Sequence, residues 1–254
     1  MSTLLEVSGL QMRFGGLLAV DGIEFHVDAG EVFAIIGPNG AGKTTVFNCV
    51  SGFYRPSAGR IDLDGQAIAG LPGHVIARRG VVRTFQNIRL FRSMTVVENL
   101  LVAQHAHLET NLLKGLFKVP SFRQAERRAM EQAAYWLDKV GLRAHANREA
   151  GNLSYGQQRR LEIARCMITE PKLLLLDEPA AGLNPHETHE LDDLIRDLRK
   201  QHGVSVLLIE HDMSLVMAIA DRILVMEHGR PIVTGVPAEV RADPRVIKAY
   251  LGEE

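Results

Sequence analysis

The stretch GPNGAGKTT, residues 37–45, constrains the fold more than any other part of the chain. It follows the apolar run EVFAIIG (31–37), and the residues after it read as a helix over 43–51. A strand, a glycine-rich loop and a helix in that order form a cradle for phosphate. The glycines let main-chain N–H groups turn inward around anionic oxygens, and the helix start adds the positive end of its dipole. Gly37, Pro38, Asn39, Gly40, Ala41, Gly42, Lys43, Thr44 and Thr45 are therefore the candidate binding residues. Lys43 is expected to reach the β- and γ-phosphates of a nucleotide, and Thr44 to place a hydroxyl on Mg²⁺. The bland alternative is a glycine-rich turn without a ligand, and the strand–loop–helix setting counts against it.

The run LLLLDEP (173–179) supplies a second half for such a site. Asp177, at the carboxyl end of a buried strand, is placed to hold Mg²⁺ through water. Glu178 beside it is a candidate general base for an attacking water, which favours nucleotide hydrolysis over phosphoryl transfer to a metabolite. Continuous apolar runs at 31–37, 172–178 and 203–211 read as strands buried on both faces of a parallel sheet. Each is followed by a helix-like stretch, at 43–51, 185–201 and 212–220. That alternation predicts an α/β fold with a P-loop core and a mostly parallel sheet.

Residues 3–8 and 17–27 alternate apolar and polar, and RIDL and QAIAG bracket Asp64-Gly65, a favoured hairpin turn. These pieces form an antiparallel β edge. Between roughly 87 and 165 the pattern becomes helical, with helices expected near 95–106, 121–140 and 155–169 and a connecting loop over 111–121. We read it as an α-helical subdomain inserted into a single domain spanning 1–254. A late hairpin is expected to turn at His228-Gly229, before short terminal helices.

The apolar fraction of 46% and charged fraction of 23% are those of an ordinary globular protein, and the net charge of -1 points away from nucleic acid as partner. No apolar run approaches the ~18–20 residues that cross a bilayer. The beginning, MSTLLEVSGL, has no basic region, apolar region or cleavage site of a secretory signal. A cytosolic chain is expected, held at a membrane, if at all, by another subunit. Cys49 and Cys166 lack metal-ligand spacing and read as small buried residues.

LSYGQQRRLEIARCM (153–167) resembles the signature sequence of the ATP-binding cassette (ABC) ATPases, usually LSGGQ. Ser154 and Gly156 open a helix, where exposed N–H groups and a hydroxyl suit a γ-phosphate; Gln157 follows in the same loop. An N-cap serine on an ordinary amphipathic helix is the alternative reading. Gln86 matches the family's Q-loop glutamine, which senses metal and attacking water. AGLNP (181–185) resembles the D-loop, His211 matches the switch histidine at the γ-phosphate, and Phe14 matches the aromatic that stacks on adenine. Tyr155 stands where the family has glycine, Asn184 where Asp is common, and Phe14 where Tyr is commoner.

The likeness extends over the whole chain. VRTFQNIRLFRSMTVVENLLVA, LDEPAAGLNP, IEHDM and the ending VIKAYLG look like the ATP-binding subunit of branched-chain amino acid importers. That resemblance implies ATP and Mg²⁺ as cofactors and attachment to the cytoplasmic face of the plasma membrane. It also implies a second cassette, transmembrane permease subunits, and a periplasmic binding protein as an indirect partner. The segment Gln86–Glu98 is expected to carry the permease contact. Relatives serving urea or short amides give an alternative substrate class. A soluble ABC ATPase acting on nucleic acid is disfavoured, since this chain has neither a second cassette nor a long coiled coil. A GTPase would need an Asn-Lys-x-Asp motif, which is not found.

Overall fold

The computed structural model of the protein describes residues 2–104 and 120–251. Its residues group into two compact units, 1–86 with 172–254, and 87–171.

The first unit contains two sheets. In one, β1 (Thr3–Phe14) pairs antiparallel with β2 (Leu17–Asp28) and with β4 (Ala58–Leu63), and β5 (Gln66–Ala67) extends it. Both hairpin turns expected from sequence form. Asp64 and Gly65 lie at φ 49° and 71°, and His228 and Gly229 at φ 47° and 78°. Two successive positive-φ residues match the right-handed twist of the flanking strands. Strands β1 and β2 run longer than the expected 3–8 and 17–27. Register shifts between Val7 and Leu10 reset the alternation, so burial passes from Leu5 and Val7 to Leu10 and Met12.

The second sheet has the order β10-β9-β3-β8-β7-β6. Its strands are β3 (Val32–Ile36), β6 (Val81–Arg83), β7 (Leu173–Asp177), β8 (Ser205–Ile209), β9 (Arg222–Glu227) and β10 (Arg230–Gly235). From β9 to β6 all pairings are parallel; only β10 runs antiparallel, against β9. Every residue of β3, β7 and β8 is buried, as expected of strands covered on both faces. Helices α1 (Lys43–Val50), α6 (Pro185–His202) and α7 (Met213–Ile219) follow β3, β7 and β8. A short α2 (Gly73–Arg78), not expected from sequence, precedes β6, and α8 (Pro237–Ala242) and α9 (Pro244–Leu251) close the chain. Because loops at the carboxyl ends of parallel strands converge, Gly37, Asp177 and His211 share one edge of this sheet.

The second unit is helical. It contains α3 (Val96–Gln104), α4 (Pro120–Lys139) and α5 (Tyr155–Met167), which pack on one another. Residues 111–119 of the expected connection lie outside the described residues. Asn99 fixes the start of the unit: its side-chain oxygen accepts from Phe91 N–H at 2.9 Å and its amide donates to Phe91 O at 3.1 Å. Arg159 and Glu162, both fully buried, pair at 2.9 Å within α5. Glu162 also accepts the Arg89 main-chain N–H at 3.0 Å.

Candidate active site

The loop between β3 and α1 can turn as it does only with glycine. Gly37 (φ 147°) and Gly42 (φ 93°) leave no space for a side chain. A Cβ on Gly37 would run into the Met226 carbonyl of β9, and one on Gly42 would lie 2.7 Å from the Ala19 carbonyl of β2. The loop is thus clamped between two strands. Lys43 lies buried at its centre and donates to the carbonyls of Gly37 at 2.7 Å and Pro38 at 3.0 Å. Burial lowers the Lys43 pKa, and the charges of Glu178 and Asp177 oppose that shift.

A pocket of about 420 Å³ opens over this loop, lined by Asn39–Thr45, Leu17–Ala19, Glu178, His228 and Gly229. Thr44 is exposed on it, and Asp177 ends β7 nearby, coulombically coupled to Lys43. A hydroxyl and a carboxylate are hard-oxygen donors that suit Mg²⁺, which keeps water and phosphate oxygens as its other ligands.

Glu178 has φ 47°, an uncommon conformation for a side-chain-bearing residue, and its N–H donates to Ile209 O at 2.9 Å. Gln86 Nε2 donates to Glu178 Oε2 at 2.8 Å, and His211 Nδ1 lies 3.9 Å from that same oxygen. The three residues expected to be catalytic, Glu178, Gln86 and His211, therefore meet around one carboxylate oxygen of Glu178. A carboxylate so placed can accept a proton, with the Gln86 amide fixing where it points.

Phe14 ends β1, 41% exposed, with its ring edge-on to Tyr54 at 5.2 Å. It is not among the residues lining the pocket; Leu17–Ala19, just after its turn, are. In the helical unit, Ser154 is the N-cap of α5. Its hydroxyl accepts the Gln157 N–H at 3.3 Å while Gln157 Oε1 accepts the Ser154 N–H at 3.1 Å. Gly156 is buried in the first turn, and Tyr155 is exposed with its hydroxyl 3.3 Å from Arg159 Nη2. Asn184 is the N-cap of α6 through the same reciprocal box with Glu187, at 3.0 and 3.1 Å.

Three contributors escaped the sequence reading. Glu210, fully buried, accepts main-chain N–H groups from Ala180 at 2.7 Å, His211 at 3.0 Å and Asp212 at 3.4 Å. Burial still raises its pKa, against the pull of those three donors. Arg83 Nη2 lies 2.5 Å from Asp177 Oδ2. Burial raises the Tyr250 pKa, against a pull from the Gly37 main chain. Position next to a motif is the only signal the sequence offered for Glu210 and Arg83; Tyr250 offered none.

A family model described as ABC transporter matches residues 20–181. The chain belongs to the ABC transporter family. The carboxyl-terminal residues 230–254 of this cassette match a second model, described as branched-chain amino acid ATP-binding cassette transporter. The cassette is 66% identical to the high-affinity branched-chain amino acid transport ATP-binding protein BraF of Pseudomonas aeruginosa, over 98% of both chains. It is 62% identical to the protein LivG of Escherichia coli, which carries the same description, again over 98% of both. Among solved structures, an ATP-binding cassette of an ABC transporter in its ADP conformation superposes with a TM-score of 0.86 at 33% identity, over the full length of both chains. The α/β core with its phosphate loop, antiparallel edge and helical segments is the ABC ATPase fold.

Proposed function

We propose that this chain is the ATP-hydrolysing motor subunit of an importer for branched-chain amino acids. The convergence of Gln86 and His211 on Glu178, beside Lys43, carries the hydrolytic reading. The relatives BraF and LivG, by their descriptions, support the substrate class.

In this reading Gly37 to Thr45 hold the phosphates, with Lys43 on the β- and γ-phosphates, and Phe14 stacks on the adenine. Thr44 and Asp177, with Gln86, hold Mg²⁺, whose charge helps neutralise that developing on the phosphates. Glu178 accepts the proton of the attacking water, Gln86 keeps its oxygen aimed, and His211 contacts the γ-phosphate. Ser154, Gly156 and Gln157 serve the nucleotide of a second cassette, paralogous or identical, so each site is completed across a dimer. Among the described residues no helix is long and apolar enough to cross a membrane. We assign the chain to the cytoplasmic face, bound to transmembrane permease subunits through Gln86–Glu98, with the periplasmic binding protein as an indirect partner. The whole chain acts as one cassette, with the helical unit as its insertion.

Uptake by a strain lacking this chain tests the proposal. Leucine uptake should be lost and restored by the wild-type gene but not by Glu178→Gln. Restoration of urea or amide uptake without leucine uptake would overturn the substrate class.

A further inference from the structure

Arg83 ends β6, and Asp177 ends the neighbouring β7. Their side chains are only 7% and 6% exposed and meet at 2.5 Å. The other guanidinium nitrogen, Nη1, donates to Asn48 Oδ1 at 2.6 Å and Ser51 Oγ at 3.1 Å, where α1 ends. The rings of Phe47, Phe53 and Phe85 surround the guanidinium, with centroids 5.5, 5.7 and 5.5 Å from its carbon. One planar, permanently charged group therefore joins the helix after the phosphate loop, the strand leading to Gln86, and the carboxylate of Asp177.

A buried ion pair is weak evidence for stability, because desolvation offsets much of the attraction. The place of this one is more telling. Arg83 bonds Asp177, Thr84 Oγ1 accepts the Asp177 N–H at 3.4 Å, and Gln86 bonds Glu178. The same short segment thus grips both acidic residues in order. Asp177 has one oxygen committed to Arg83, which fixes the plane in which the carboxylate lies.

We infer that Arg83 is a positioning residue for the metal, holding the Asp177 carboxylate in the orientation that binds Mg²⁺ and tying it to the strand that bears Gln86. The inference rests on the metal role proposed for Asp177. Arginine supports this geometry where lysine cannot. A single ammonium lacks the fork needed to bond Asp177, Asn48 and Ser51 together.

The test uses the full chain with ADP and Mn²⁺ as the spectroscopic stand-in for Mg²⁺. Free Mn²⁺ is counted by electron paramagnetic resonance, and ADP affinity is measured separately in EDTA. Arg83→Gln should weaken Mn²⁺ binding about tenfold or more, the scale seen when a group supporting a metal ligand is lost. Its ADP affinity in EDTA should stay within about twofold. Adding Arg83→Gln to Asp177→Asn should bring little further loss, since both act through one carboxylate. Arg83→Lys, which keeps the charge, should fall between wild type and Arg83→Gln, and it decides the matter if Arg83→Gln does not fold. Wild-type Mn²⁺ affinity in Arg83→Gln or Arg83→Lys overturns the inference, as does an equal loss of ADP affinity with and without metal. Wild-type Mn²⁺ affinity in Asp177→Asn would instead overturn the metal role of Asp177 itself.

Discussion

Glu178 Oε2 accepts a 2.8 Å hydrogen bond from Gln86 Nε2, although 92 residues separate the two in sequence. The pairing is possible because β6 and β7 are parallel neighbours, so the residues just past their carboxyl ends emerge side by side. It also means that any movement of the segment after β6 pulls on the carboxylate proposed to accept the water proton. Glu178→Gln should keep nucleotide binding while slowing turnover by ~10²–10⁴, the range for loss of a general base. Parallel assays of ATP binding and phosphate release check this; near-wild-type release would assign the base elsewhere.

Phe14→Ala should weaken nucleotide binding by ~1–3 kcal/mol, the scale of one base–aromatic stack, with little change in maximal rate. The ring is exposed and stands T-shaped to Tyr54. Titration with a fluorescent nucleotide measures the effect, and an unchanged affinity would reduce Phe14 to a partner of Tyr54.

Asn184 occupies its place as a helix cap. Asn184→Ala should destabilise the protein by ~0.5–2 kcal/mol in chemical denaturation, whereas Asn184→Asp should fold as stably as wild type. The first turn of α6 gains from a negative charge at its start. A destabilised Asp variant would show that a constraint other than capping selects the amide.

Cys49 and Cys166 are buried, and burial pushes their thiol pKa values up to about 11 and about 12 from 9.0. The folded chain keeps these protons where the unfolded chain releases them, so stability is lost as pH rises from 9 toward 12. At pH 8 the native thiols should resist alkylation, and both should react in denaturant. Mass spectrometry after iodoacetamide treatment reads the result; rapid native labelling would mean that these segments open readily.

Sharing of the nucleotide site between two cassettes predicts complementation. In a Glu178→Gln background, Lys43→Ala and Ser154→Arg chains should each fail to form an ATP-locked dimer alone. Their mixture should recover one occupied site per dimer, read by gel filtration with radiolabelled ATP. If this chain self-pairs weakly, the two changes are split between it and its partner cassette. Failure of every pairing while wild-type chains lock would sink the shared site.

Much of the site was legible because its parts are local. The phosphate loop needs one strand, three glycines at positive φ and one helix in sequence, and all lie within residues 31–51. The hairpin turns were equally plain, since Asp64-Gly65 and His228-Gly229 state their own φ requirements. What stayed hidden depends on register or distance. The bulged half of β1 breaks the alternation that marks a strand, so its extension to Phe14 left no simple pattern. The six-residue α2 is too short for helical periodicity to declare itself. Arg83 finds Asp177, and Glu210 finds Ala180, only after the strand order is known. Ser154 carried both a capping and a nucleotide reading and Asn184 only a D-loop reading, and the capping geometry is realised at each.

The buried Glu210 has a consequence for how this cassette tolerates change. One carboxylate takes main-chain N–H groups from Ala180, just before the D-loop, and from His211 and Asp212. These donors belong to the main chain, so every side-chain replacement at 180, 211 or 212 other than proline leaves them in place and in need of an acceptor when Glu210 is lost. Asp is too short to span both loops, and the amide of Gln would face donors with another donor. The side chains carried by these two loops can therefore change one at a time, while the carboxylate that fastens the loops beneath them has no substitute of the same length and acceptor capacity.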